Sequence, residues 1–575
     1  MKNKTYNLAK IKAPRMAGSA FRIFAAVLET SFPGTLLAKK LMDDSGITAL
    51  TKTSLKEDIS PLPLHFDQPS RVRLKGDAGN SLSGYLQIKE TGNRDKDTAG
   101  SFRPPTIDDY ASAYRNGSSD PVKVAERLIE LIKESNSTAA PLNAVIKYNE
   151  NDILRQAEES LERHLDGKPL SIFDGVPIAV KDEIDQAGYT TSVGTSFLGT
   201  EKAKVDAEAV RRLRKAGALL FGKTNMHEIG IGVTGLNPHF GVVRNPHNPL
   251  NYTGGSSSGS AAAVAAGLCP GAVGADGGGS VRIPAALCGV TGLKPTYGRI
   301  SETGAAPLCW SVAHIGPLGA TVRDTALMYA VMAGKDPRMH SSLIQPDPDL
   351  AGIGKDLKGL RIGYYPEWFF DCDNSIHGVI KDTLKRLKDL GAEVVEIEIP
   401  ELEEMRVAHL ISIVSEMTTA MHPYYKEHRR DFGLDTRVNL ALGKRFSNID
   451  YIHAQRMRTR AINIFSSLFA KVDAIVTPST GVPAPAIPPD ALPAGESNLK
   501  VLSDIMRYAF PGNLTGLPAI SVPAGYTEEG LPAGLQILGR AWEESLILRI
   551  AAGLENGIRY RRPELFYPSL RDRPV

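Results

Sequence analysis

The chain has 575 residues, of which 42% are hydrophobic and 23% are charged, and its formal net charge is +3. This composition supports a large buried core and excludes both a disordered chain and a nucleic-acid binder driven by overall charge. Residues 1–40 contain eight basic residues and one acidic residue, a formal charge of +7, so the rest of the chain carries −4. The four cysteines form no C-x-x-C pair, and we interpret them as buried small hydrophobes in a reducing compartment.

The first predicted elements are two short amphipathic helices separated by Pro33-Gly34. Their apolar faces comprise Phe21, Phe24, Ala25 and Leu28 in the first helix, and Leu36, Leu37, Leu41 and Met42 in the second. Packing against the rest of the chain is the ordinary interpretation of such faces. The concentrated positive charge favours the alternative, a surface that lies on an anionic membrane. No apolar run reaches the roughly 18–20 residues that span a membrane, so we expect no spanning segment. Arg22 interrupts the apolar segment and argues against a cleaved signal peptide.

Residues 51–105 are polar and irregular, and they predict an extended arm or linker between an N-terminal segment, 1–50, and a catalytic domain, 106–570. After Thr106, helices alternate with short apolar strands, a pattern that predicts an α/β fold around a mixed sheet. The predicted strands are 176–180, 218–221, 360–364, 394–399, 474–477 and 520–522, and the predicted helices include 207–216 and 376–390.

Two segments of glycine and serine, GGSSSGS at 254–260 and GGGS at 277–280, flank an uncharged stretch from Ala261 to Ala275 that we expect to be buried. The backbone N–H groups and serine hydroxyls of such segments are suited to a hydrolase site or to a phosphate-binding loop. Neither segment has the lysine of a phosphate loop, no G-x-G-x-x-G opens a helix in a βαβ unit, no H-E-x-x-H occurs, and no G-x-S-x-G elbow follows an apolar strand. We therefore expect no cofactor and no metal. A thiol nucleophile at Cys269 or Cys288 lacks a nearby histidine.

A serine activated by something other than histidine remains. Ser280 ends a triple-glycine turn, and the N–H groups of Gly277, Gly278, Gly279 and Ser280 can converge as an oxyanion hole. Lysine serves as a base where burial lowers its pKa toward neutrality. Lys181 stands at the end of an apolar strand, and a strand-end salt bridge is the alternative interpretation of this side chain.

These segments resemble the amidase signature family. The resemblance rests on GGSSSGSAAAVAAG, GADGGGSVRIPAALCGVTGLKPT, FDGVPIAVKD, GKTNMHE at 222–228 and DAIVTPST at 473–480, and it covers roughly residues 106–570. It implies a mixed central sheet surrounded by helices, with Ser280 as nucleophile, Ser256 as a bridging serine after a cis peptide, and Lys181 as base. Ser257, Asp276 and Arg282 are expected to support these groups rather than to react.

The longest resemblance is to plant-type fatty acid amide hydrolases, through KAPRMAGSAFRIF, ELEEMRVAHLISI at 401–413 and TGVPAPAIPPDALPAGESNLKVLSDIMRY at 480–508. It implies hydrolysis of acyl amides such as N-acylethanolamines, and a homodimer. It also implies that the N-terminal helices lie at an intracellular membrane surface, that of the endoplasmic reticulum or the plasma membrane in a eukaryote. Phe21, Phe24 and Leu28 would there contact the membrane and admit substrate. Three alternatives stay open: an amidase of small or peptide amides, an amidotransferase A-type subunit, and an inactive membrane-surface scaffold.

Overall fold

The computed structural model describes residues 5–11, 14–59, 102–350, 352–492 and 494–570. Most of the predicted arm over 51–105 lies outside these ranges, so the arm and the three-part division of the chain stay predictions. The strands, in chain order, are β1 (Met16–Ala17), β2 (Val145–Lys147), β3 (Pro177–Lys181), β4 (Leu219–Thr224), β5 (Arg244–Asn245), β6 (Asn248–Tyr252), β7 (Gly271–Ala275), β8 (Thr291–Lys294), β9 (Ile315–Gly319), β10 (Arg361–Tyr364), β11 (Glu393–Glu396), β12 (Ala474–Pro478), β13 (Glu496–Ser497), β14 (Ala519–Tyr526) and β15 (Pro532–Leu538).

The α-helices surround the largest sheet. They are α1 (Gly18–Leu28), α2 (Phe32–Asp44), α3 (Ile47–Leu50), α4 (Ile107–Asn116), α5 (Pro121–Asn136), α6 (Glu150–Leu165), α7 (Glu208–Lys215), α8 (Ser258–Ala265), α9 (Arg282–Cys288), α10 (Val322–Met332), α11 (Pro366–Phe369), α12 (Asn374–Asp389), α13 (Leu402–His428), α14 (Leu434–Gly443), α15 (Asn448–Phe469), α16 (Leu499–Met506), α17 (Phe510–Thr515) and α18 (Glu544–Glu555). All the predicted strands and helices are present, with ends that differ by a few residues.

Eleven strands form one mixed sheet in the order β11-β10-β12-β15-β14-β8-β9-β7-β3-β4-β2. Near its middle, β3 runs parallel to β7, with Val180 opposite Val273, and β9 runs antiparallel on the other side of β7. The carboxyl ends of β3 and β7 therefore lie at the same edge of the sheet. The predicted α/β fold with a mixed sheet is confirmed.

Both faces of this part of the sheet are covered, which explains why β3 is a continuous buried run rather than an alternating one. Ile178 and Val180 pack into one core cluster, and Ala179 packs into the cluster on the opposite face together with α8. Because side chains alternate along a strand, Lys181 belongs to the α8 face. The uncharged stretch from Ala261 to Ala275 is buried, as expected, and it forms most of α8 and all of β7.

The N-terminal helices pack against the catalytic domain. Phe21 and Leu28 are fully buried and Phe24 is half-buried. Leu28 and Phe24 contact residues of α2 and α14, including Ala38 and Ala441. The expectation that this face is free for membrane contact is therefore wrong, because α14 covers it.

A different set of apolar side chains faces outward from the same helices. Ile23 is 65% exposed, Phe32 is 74% exposed, and Leu36 is also exposed. A bidentate ion pair between Glu29 and Arg437, with N···O distances of 2.9 and 2.7 Å, fixes the end of α1 on α14. One face of the pair of helices is thus fastened to the domain, and the other is open.

We predict that Phe21→Ala loosens α1, whereas Ile23→Ala does not. Removing a fully buried phenylalanine side chain costs about 3–5 kcal/mol, and removing an exposed one costs little. Hydrogen exchange of the α1 amides, followed by mass spectrometry on both variants, measures the difference. Equal protection of α1 in the two variants would contradict the burial described here.

Candidate active site

The site is built where β3 and β7 end. Lys181 is the last residue of β3, and its side chain is 1% exposed. Its Nζ donates hydrogen bonds to Ser256 Oγ at 2.8 Å and to the backbone oxygen of Ala275 at 3.3 Å. Nζ also lies 2.7 Å from Oε2 of Glu183. The structure therefore brings Lys181 and Ser256 together, and the salt-bridge interpretation of this lysine is correct at the same time.

The serine run meets the glycine loop through backbone contacts. The peptide between Gly255 and Ser256 is cis. The N–H of Ser257 donates to the backbone oxygen of Ser280 at 3.2 Å, and its hydroxyl donates to the backbone oxygen of Ala275 at 3.1 Å. Ser257 thus ties the two loops together, which is the supporting place expected for it.

Ser280 lies beside this contact and is 5% exposed. Within the residues that the structure describes, its hydroxyl makes no hydrogen bond to Ser256. A chain of proton transfer from Ser280 through Ser256 to Lys181 needs two contacts: the contact between Ser256 and Lys181 is formed, and the contact between Ser280 and Ser256 is open in this conformation. Catalytic hydrogen bonds often close only when substrate is present.

Asp276 and Arg282 hold the glycine loop from inside. Arg282 contacts both carboxylate oxygens of Asp276 at 3.0 Å, and the carboxylate also accepts the N–H of Gly279 at 2.7 Å and of Val281 at 3.1 Å. Burial by itself would raise the pKa of Asp276, but the charge and hydrogen bonds of Arg282 outweigh burial and hold this pKa well below its usual range. An ionised carboxylate therefore anchors the loop.

Three N–H groups of the loop remain available. The N–H of Gly279 is bound to Asp276, so Gly279 is not a donor to substrate, contrary to expectation. In the described part of the chain, the N–H groups of Gly277, Gly278 and Ser280 make no hydrogen bond. A side chain at Gly277 would lie 2.8 Å from Sγ of Cys309, and Gly279 has φ of +110°, so glycine is required at both positions.

His409 orients the glycine loop, and the sequence gives no indication of this role. It belongs to α13, and its Nε2–H donates to the backbone oxygen of Gly277 at 2.8 Å. Burial lowers the pKa of His409 to about 4, so the ring is neutral at physiological pH. Because the C=O and the next N–H point in opposite directions in a trans peptide, this bond aims the N–H of Gly278 away from α13. The partner is a backbone atom, so no sequence pattern indicates the contact.

An apolar cluster adjoins the site. Its buried members are Val193, Met226, Ile229, Leu308, Cys309, Val312, Met417, Met421, Phe432 and Leu440. Cys309 packs against Gly277, and Leu308 flanks Gly230, which in turn flanks Ser256 Oγ. The apolar cluster therefore borders both the glycine loop and the bridging serine.

The thiols are not suited to nucleophilic attack. Burial raises the pKa of Cys269 to about 12 and raises that of Cys288 further. Burial, assisted by the charge of Glu416, also raises the pKa of Cys309. Protonated thiols are weak nucleophiles, so these three cysteines are poor alternatives to Ser280 as the nucleophile.

Comparison with known proteins finds relatives that match most of the chain. A family model described as Amidase matches residues 126–548. The fatty acid amide hydrolase of Arabidopsis thaliana is 42% identical over 98% of this chain and 96% of that protein. A glutamyl-tRNA(Gln) amidotransferase subunit of Koribacter versatilis is 33% identical over 79% of this chain and 98% of that protein. The native peptide amidase from Stenotrophomonas maltophilia superposes with a TM-score of 0.67 and 28% identity, covering 80% of this chain and 98% of that structure.

We predict that His409→Leu slows labelling by a fluorophosphonate probe by about tenfold, because the Gly277–Gly278 peptide loses the donor that orients it. His409→Gln offers an amide N–H in a similar place and is expected to retain most of the rate. Stopped labelling time courses at saturating probe measure both variants. Equal rates for the leucine and glutamine variants would show that the hydrogen bond does not matter.

Proposed function

The chain belongs to the amidase signature family and is a hydrolase acting on amides, and we propose that its substrates are fatty acid amides such as N-acylethanolamines, which it cleaves to free fatty acid and amine. The observation that carries the hydrolytic part is the contact between the buried Lys181 and Ser256 beside the Ser280 loop. The fatty acyl part is supported by the apolar cluster, since an acyl chain requires an apolar surface.

In the proposed mechanism, Lys181 works as a neutral amine. It takes the proton of the Ser256 hydroxyl while Ser256 takes the proton of Ser280, and Ser280 Oγ forms a bond to the amide carbon. The N–H groups of Gly277, Gly278 and Ser280 stabilise the oxyanion. The ammonium then returns its proton through Ser256 to the leaving nitrogen as the C–N bond breaks.

The second half repeats the relay with water. A water molecule loses a proton to the same chain of groups and attacks the acyl-enzyme carbon, and the Ser280 oxygen recovers a proton as the fatty acid leaves. The apolar cluster holds the acyl chain during both halves. We propose no cofactor and no metal for this reaction.

The extent of similarity favours one of the alternatives. The similarity to the Arabidopsis hydrolase reaches 98% of this chain, whereas the similarity to the Koribacter amidotransferase protein reaches 79% and that to the peptide amidase reaches 80%. The longer match supports a fatty acid amide hydrolase over a peptide amidase or an amidotransferase component. The hydrogen bond between Lys181 and Ser256, beside the loop that carries Ser280, argues against an inactive scaffold.

We further propose that the enzyme attaches peripherally to an intracellular membrane and acts as a homodimer. Across the described residues, no single helix is long and apolar enough to cross a bilayer; α1 and α2 together are, but they meet at a bend of 104°. Attachment is supported by the exposed Ile23, Phe32 and Leu36 and by the basic Lys39 and Lys40 beside them. Four free cysteines suit a reducing compartment.

Ser280→Ala is expected to abolish both amide hydrolysis and fluorophosphonate labelling, because the loss of a covalent nucleophile costs on the order of 10⁴-fold or more. Ser258→Ala is the matched control: its hydroxyl lies in the same region and, among the described residues, contacts only the backbone oxygen of Asn225, at 3.5 Å. We expect this variant to label and to turn over normally. Near-normal activity of Ser280→Ala would refute the assignment of the nucleophile.

Replacing Ile23, Phe32 and Leu36 together by serine is expected to weaken binding to vesicles that contain phosphatidylserine. Each exposed apolar side chain that enters the interface stabilises binding, and salt weakens the remaining attraction of the lysines. Turnover of a long-chain acyl amide on vesicles should fall more than turnover of a short soluble amide. Leu165→Ser, at a side chain that is 78% exposed on α6, is the matched control. Unchanged vesicle binding of the triple variant would rule out this face as the membrane contact.

A further inference from the structure

We propose that Glu183 is a positioning residue for Lys181 and the counter-charge of the relay. This inference rests on the proposed role of Lys181 as base. Glu183 follows β3 by two residues, and its Oε2 lies 2.7 Å from Nζ, with the two side chains 8% and 1% exposed. Its backbone oxygen accepts the N–H of Ala306 at 2.9 Å, so the turn that carries the carboxylate is itself fixed.

The three neighbours of Nζ determine where the lone pair of Lys181 points. An ammonium has three N–H groups, and the structure supplies three acceptors: Glu183 Oε2, the backbone oxygen of Ala275, and Ser256 Oγ. A neutral amine keeps two N–H groups. Glu183 and Ala275 accept only, so they take these two, and the lone pair of the amine faces the hydroxyl of Ser256.

The carboxylate of Glu183 also stabilises the positive charge that forms on Lys181 during the reaction. When Ser280 attacks, one proton moves from Ser280 to Ser256 and another from Ser256 to Lys181, and the new ammonium is paired with Glu183 at once. When the C–N bond breaks, the ammonium gives its proton back through Ser256, and the carboxylate stays unchanged. An anion so close stabilises the ammonium in a site with little water.

The other acidic groups around this pair do not replace Glu183. Burial, together with the charges of Glu183 and Glu416, raises the pKa of Glu302 well above its ordinary value, and Glu302 does not contact Lys181 among the described residues. The same influences raise the pKa of the Cys309 thiol, with Lys181 as a smaller opposing charge. In the described part of the chain, Glu183 is thus the carboxylate in contact with Lys181.

The adjacent acid, Asp182, faces the other way. Its carboxylate lies 3.4 Å from Nζ of Lys147 and of Lys223, and it accepts the hydroxyl of Ser192. Because side chains alternate at the end of a strand, Asp182 belongs to a separate buried cluster behind the sheet edge. Its charge is balanced there and is not directed at the relay.

The test is the pH dependence of the full-length enzyme with Glu183→Gln, measured as acyl amide hydrolysis and as the rate of fluorophosphonate labelling. Activity that requires a neutral lysine rises with pH. The carboxylate favours the ammonium, so its removal should move the midpoint of this rise to lower pH by about one unit or more. The plateau rate should fall about tenfold, because the developing ammonium loses its counter-charge. A merely structural residue would not move the midpoint.

Two further variants make the result specific. Glu302→Gln is the same change at a neighbouring carboxyl that does not contact Lys181, and we expect its midpoint to match the wild type. Glu183→Asp keeps the charge on a shorter side chain that lies farther from Nζ, so its midpoint should lie above that of Glu183→Gln and below that of the wild type. The comparison with the wild type keeps the proposal testable if the glutamine variant does not fold. Thermal unfolding of each variant reports on folding.

Each contrary result is decisive. A midpoint unchanged in Glu183→Gln, or displaced equally in Glu302→Gln, would overturn the role of Glu183 and leave the relay standing. A wild-type profile whose rise survives in Lys181→Ala would instead overturn the base assignment, and this inference would fall with it.

Discussion

A lysine amine removed from water keeps its place only where acceptors surround it, and this requirement organises the active site. The three acceptors of Lys181 come from three separate segments: the turn after β3, the end of β7, and the loop before α8. The register that sets β3 beside β7 therefore also sets the lysine beside Ser256. A shift of one residue in β3 would turn Lys181 to the opposite face of the sheet and leave its amine unpaired.

A second constraint is the close approach of backbone to backbone around the glycine loop. Asp276 accepts N–H groups from inside the loop while His409 donates to its outer side, so the loop is held between a carboxylate and an imidazole. Both partners are buried. His409 leaves no room for a side chain at Gly278, and Cys309 and Ile283 leave none at Gly277 and Gly279. The consequence for function is that the N–H groups left over are fixed before substrate arrives, which is the condition under which such donors stabilise an oxyanion most.

The sequence indicated the strands and the chemistry of the site because both depend on local runs. A stretch of about ten residues is enough to recognise each of three features: the buried segment ending at Lys181, the two glycine–serine segments, and the helix after Ser280. Contacts made over long distances along the chain are different: His409 bonds to a carbonyl 132 positions earlier, and Arg282 contacts Asn513 and Gln536. Glu183 is close in sequence to Lys181, but a glutamate after a strand is so common on surfaces that its burial could only be seen in the fold.

The N-terminal helices show how periodicity can identify a face without identifying what covers it. The spacing of Phe21, Phe24 and Leu28 correctly marks one apolar side of α1, and α14 buries that side. Ile23 lies off this stripe, and with Phe32 and Leu36 it leaves apolar surface in water. Burying this surface against a partner would contribute about 25 cal/mol of favourable free energy per square ångström. Because the buried side already fastens the helices to the domain, the open side is free to meet a further partner without detaching them, and an apolar surface beside lysines is suited to a lipid headgroup layer.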